Sequence, residues 1–140
     1  MGSMKDTLNP LNWDYRTWRK FFLIAALWNF SGAIPAIFYP ALNMRFFYGV
    51  QTDNYYILFL NMAFWEAVLI FGIGYLIVAY NPGKNHGIVI MGIVGKTAVA
   101  ANWYYLFGTD RATIFSFLAA TGDILFTLYF IYYLIRRPIS

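Results

Sequence analysis

The chain has 140 residues, enough for one domain, and is 61% hydrophobic, 22% aromatic and only 11% charged, with a formal net charge of +4. That balance excludes an ordinary water-soluble globule, and the absence of cysteine excludes disulfide exchange, thiolate catalysis and cysteine-ligated metal or haem. The basic residues flank apolar stretches instead of forming a surface stripe, so the positive charge points to membrane orientation and away from nucleic acid.

Residues 1–4, "MGSM", read as a cloning remnant ahead of a start at Met4. The leader "LNPLNWDYRTWRKFF" combines Trp13, Tyr15 and Trp18 with Arg16, Arg19 and Lys20, so residues 5–20 are expected to lie along the headgroups before the chain turns inward. It lacks a short apolar core followed by a small-residue cleavage site, so the first span is expected to be retained as an anchor. A bilayer core of roughly 30 Å needs about 20 apolar residues per helix, and the first such run is 21–39. Pro35 lies inside it and predicts a kink. "PALNMRFFYGVQTDNYY" is too polar to cross and too aromatic to float free, which predicts a short interfacial helix ending near Gly49 in the one connection long enough to act as a lid.

Three more apolar runs follow at 55–80, 87–107 and 112–135, joined by the tight turns "NPGKNH" and "GTDR". None alternates as a strand does, so the fold class is all-α: a four-helix transmembrane bundle with antiparallel neighbours. Lys5, Arg16, Arg19, Lys20, Lys84, Arg136 and Arg137 fall on one side of it and only Arg45 and Arg111 on the other, which places both termini in the cytoplasm. The single histidine, His86, reads as an interfacial residue, because a zinc site wants three or four ligands. No metal and no cofactor are expected.

The span midpoints carry the sharpest signal. Asn29, Glu66, Lys96 and Asp123 each lie near the middle of a different run, and Glu66 is the only glutamate in the chain. An isolated charge at that depth costs roughly 2.5 to 3.5 kcal/mol even on the most forgiving scale, so the four groups are expected to face one another. Around Asn29 the same helical face holds Ala25, Ala26, Gly32, Ala33 and Ala36; around Asp123 it holds Ser116, Ala119, Ala120 and Thr127. Small faces of this kind let membrane helices approach closely. Trp28, Trp65 and Trp103 would supply aromatic walls, and Asn61 and Asn102 hydrogen-bonding groups nearer the rims, on different faces.

The stretch "GIGYLIVAYNPGKNHGIVIMGIVGKTAVAANWYYL", with the later "TIFSFLAATGDILFTLYFIYYL", resembles the DoxX-like superfamily of small four-helix bacterial membrane proteins, through the Gly95–Lys96 and Gly122–Asp123 steps and the aromatic-rich end. The resemblance implies a bundle in the bacterial inner membrane with Lys96 and Asp123 as family positions. It supplies no reaction, and the missing cysteines speak against a thiol-handling role. The leading expectation is therefore a pocket for a lipophilic small molecule or a membrane lipid, lined by Asn29, Glu66, Lys96, Asp123, Trp28, Trp65, Trp103 and Asn102. The alternatives are an acid/base enzyme such as a lipid isomerase using Glu66, Asp123 and Lys96, a proton-coupled transporter acting as a homodimer through Gly72, Gly74 and Gly92, and a structural subunit whose buried ions only fix helix register.

Overall fold

A computed structural model describes residues 13–136. The chain forms α1 (Tyr15–Phe38), α2 (Pro40–Tyr48), α3 (Tyr55–Tyr80), α4 (His86–Gly108) and α5 (Ile114–Arg136). All but α2 are long and apolar enough to cross a membrane. The proposed cloning remnant, residues 5–12 of the leader and Arg137 lie outside the described residues.

The first helix begins earlier than the apolar run does. Asp14 is its N-cap, accepting the Thr17 backbone N–H at 2.8 Å, and that bond holds the Asp14 carboxyl below its usual pKa. Arg16, Arg19 and Lys20 therefore belong to the first turns of α1, where a leader lying flat on the headgroups was expected. The reason is packing: Trp18, Phe21 and Phe22 recur at helical spacing and are buried against Phe130 and Tyr133 of α5, with ring centroids 4.9 to 5.9 Å apart. Continuing the helix places all three against α5.

α1 packs along α3 and α4 along α5, while α3 and α4 meet more sparingly. The end holding the start of α1, the α3–α4 turn and the end of α5 is tied by side chains. Tyr15 donates to Asn81 Oδ1 at 3.3 Å, Arg19 Nε to the Ala79 carbonyl at 3.0 Å, and the Tyr133 hydroxyl to the Pro82 carbonyl. This half of the interior is filled by Trp18, Phe21, Phe22, Tyr75, Val78, Val89, Phe130 and Tyr133. The other half is lined by Ala33, Ala36, Ala100 and Ala120 with only Trp65 and Trp103 as large buried side chains. Small residues on three helices leave volume there.

α2 closes that half. Its C-terminal carbonyls, which no further turn of helix can satisfy, are taken by the start of α5: the Thr113 N–H donates to Phe47 at 2.9 Å, the Ser116 hydroxyl to Phe47 at 2.6 Å, and the Thr113 hydroxyl to Phe46. Gly49 ends α2 in the left-handed conformation at φ 66°, as a glycine C-cap should.

Gly72, Gly74 and Gly92, read from sequence as contacts for a second copy, are used inside the chain. A Cβ on Gly72 would stand 2.7 Å from the Phe30 ring and 3.2 Å from Asn29 Cβ; one on Gly92 would meet the Tyr75 hydroxyl at 2.8 Å, and one on Gly74 would meet Ile88 at 3.0 Å. Gly72→Leu should therefore overpack the α1–α3 seam by about 1 to 3 kcal/mol and lower the thermal unfolding midpoint in detergent. Gly87→Ala, whose Cβ meets nothing within 4 Å, should not lower it.

Candidate functional site

The polar centre is assembled from three helices. Lys96 Nζ donates to Asp123 Oδ1 at 2.7 Å and to Asn29 Oδ1 at 3.0 Å, and all three residues are buried. Trp28 Nε1 donates to the same Asp123 oxygen at 3.0 Å. Asn29 uses its amide on α3, where Nδ2 donates to the Val68 carbonyl at 3.0 Å. The ammonium also stands 5.6 Å from the Tyr75 ring centroid and 5.3 Å from that of Phe126, within cation–π range.

Glycines make these contacts geometrically available. The absent side chain of Gly72 lets Asn29 reach the Val68 carbonyl. The absent side chain of Gly122 seats the Trp28 indole, since a Cβ there would fall 2.3 Å from Trp28 Cζ2. The Gly122–Asp123 step thus places one residue that admits the indole ring beside another that accepts its N–H.

Glu66 does not join the centre. The inward face of α3 runs Asn61, Trp65, Val68, Gly72, Tyr75, at alternating spacings of four and three, and Glu66 follows Trp65 by one residue, a rotation of about 100°. It is exposed on the outer face with Ala63, Ala67, Ile70 and Ile73, and no hydrogen bond or ion pair reaches it from the described residues. The expectation that every span contributes a side chain is corrected: α3 contributes a backbone carbonyl. Asn102 is corrected in the same way, since it precedes the inward Trp103 by one residue and is exposed.

Above the ion pair lies a cavity of about 470 Å³, mostly apolar, bounded by all five helices. Asn29, Lys96 and Asp123 form its floor. Along α4 it extends from Lys96 past Val99 to Trp103, seven residues or about 10 Å. Trp65 and Trp103 wall it with ring centroids 5.9 Å apart, and Phe47 of α2 contacts both, at 5.2 and 5.4 Å. Ser31, Pro35, Tyr39, Leu42, Phe46 and Ala67 line it too and are exposed, so the cavity opens sideways through the outer surface of the bundle. Pro35, expected to kink α1, lies in its last two turns and borders this opening.

Several residues that fix the cavity were not foreseen. Asn43 Oδ1 on α2 accepts from both Asn61 Nδ2 and Trp65 Nε1 at 2.9 Å, which fixes the Trp65 wall. Tyr48 accepts from Trp103 Nε1 at 3.0 Å, and burial raises its phenol pKa. Tyr75 lines the cavity with its hydroxyl buried and, among the described residues, without a hydrogen-bond partner. The usable signal was the pairing of Asn43 with Phe47 at four-residue spacing on α2, which puts an amide and a ring on one face of a helix otherwise read only as a lid.

The arrangement can hold a hydrogen-bonding group against a neutralised ion pair while apolar walls take the remainder. Lys96→Met should leave Asp123 buried without its counter-charge and cost about 3 to 5 kcal/mol, read as a fall in the unfolding midpoint. Lys96→Met/Asp123→Leu should recover most of that loss. No protein-family model matches the chain, and no curated protein or solved structure matches it either.

Proposed function

We propose that the protein is a multi-pass protein of the bacterial inner membrane, with both termini cytoplasmic, that binds a lipophilic small molecule or lipid in the cavity between its helix pairs. The polar head rests on Lys96, Asp123 and Asn29, and the apolar body lies along Trp65, Phe47, Val99 and Trp103. The observation that carries this reading is an ion pair at the floor of an open, mostly apolar cavity of about 470 Å³, a size in the ordinary range for small-molecule sites. Lys96 and Trp28 both bond Asp123 Oδ1, so Oδ2 takes no part in either contact. A buried ion pair that served helix register alone would be sealed by packing, and this one borders empty volume.

The resemblance to DoxX-like proteins supports the same reading, because the Gly95–Lys96 and Gly122–Asp123 steps on which it rests supply the ion pair. The isomerase reading is weakened by the outward position of Glu66, which leaves Asp123 and Lys96 bonded to each other and no second acid in the cavity. The transporter reading loses the glycines assigned to its dimer contact.

Mass spectrometry of the detergent-purified protein after organic extraction is the test. The wild type should carry a defined lipophile, and Val99→Trp, which fills the cavity, should lose it while still melting cooperatively. Lys96→Met/Asp123→Leu should also fold and lose the molecule's preferred occupancy. Equal retention by both variants would remove the cavity as the site; an empty wild type, with Lys96→Met merely less stable, would leave the ion pair a structural role.

A further inference from the structure

A second ligand-sized feature lies outside the bundle, at the seam between the start of α1 and the end of α3. Arg16, Arg19, Lys20 and Leu23 fall on one face of α1 at helical spacing, and Leu76, Ala79 and Tyr80 of α3 complete a shallow groove with them. We propose that this groove binds an anionic phospholipid, with its phosphate on Arg16, Arg19 and Lys20 and its chains running over Leu23 and Leu76.

Charge complementarity supports this occupant. All three cations are exposed. Among the described residues at that end of the bundle the only acid is Asp14, whose carboxylate already caps the Thr17 N–H. Lys84 and Arg136 add further positive charge at the same end. At the opposite end Arg45 and Arg111 are balanced by Asp53 and Asp110, so only one end has a cationic surplus. Arg19 is also oriented: its Nε donates to the Ala79 carbonyl at 3.0 Å, which fixes the guanidinium plane and leaves both Nη groups for phosphate oxygens.

The apolar half of the groove selects a lipid over free phosphate. Leu23 is 46% exposed and Leu76 is 38% exposed, and Leu23 lies seven residues along α1 from Arg16, about 10 Å deeper. The cations thus stand at headgroup level with an uncovered apolar track leading from them toward the bilayer interior. Tyr80, 80% exposed at the rim, carries a phenol at the depth where aromatic residues meet headgroups.

Native mass spectrometry of the detergent-solubilised protein, titrated with phosphatidylglycerol and separately with phosphatidylcholine, tests the proposal. The wild type should retain phosphatidylglycerol in preference to phosphatidylcholine, and inorganic phosphate should not displace it. Arg16→Gln and Lys20→Gln, neither of which breaks a side-chain hydrogen bond among the described residues, should each weaken phosphatidylglycerol binding roughly fivefold, the effect of one cation near an anionic surface. Adding Arg19→Gln should abolish the preference. Lys84→Gln/Arg136→Gln, at the same end but outside the groove, should keep it. Equal loss in that control, an undiminished preference in the single variants, or displacement by inorganic phosphate would each overturn the assignment.

Discussion

The bundle is organised around one ammonium. Lys96 sits at mid-span, where bringing an unpaired cation would cost more than any single apolar contact returns, and it is tolerated because Asp123 and Asn29 lie within 3.0 Å of its Nζ. Meeting both partners requires α1, α4 and α5 to hold one depth and one rotation. Trp28 is drawn in by the same carboxylate, and Gly122 by the need to seat Trp28. One electrostatic requirement thus sets the register of three helices and, through the Asn29 amide, of the fourth.

The two halves of the interior divide the work of stability and of space. In the half that holds the start of α1 and the end of α5, aromatic rings pack edge to face, tilted and stacked, and leave little room. Beyond the ion pair the facing positions are alanine, and the two indoles that remain are held upright by the hydrogen bonds they donate to Asn43 and Tyr48 of α2. The cavity is therefore a consequence of sequence: large side chains are withheld from α1, α4 and α5 in that half, and the two that intrude are pinned at the walls.

Much of this was legible beforehand. Run lengths gave the four spans and the short interfacial helix, and span midpoints gave Asn29, Lys96 and Asp123, because a charge in lipid has few affordable positions. Glu66 was misplaced for a physical reason. Depth along a helix follows from counting residues, whereas rotation about its axis follows from which neighbours are buried, and α3 is apolar on nearly every side. Only the spacing of Asn61, Trp65, Gly72 and Tyr75 distinguishes its inner face. The partners of Asn43 and Tyr48 were beyond reach because they join α2 to helices distant in sequence, and no local pattern encodes that docking.

The fastening of α2 to the start of α5 bears on how a guest would arrive. A roof whose terminal carbonyls are already taken by Thr113 and Ser116 is a poor door, whereas the flank beside Ser31, Pro35 and Ala67 is open to the hydrocarbon. Under the ligand-binding reading, molecules would enter by lateral diffusion from the surrounding leaflet. Occupancy would then follow the solute's partition coefficient between bilayer and water, so compounds of equal contact energy but different lipophilicity would differ in apparent potency.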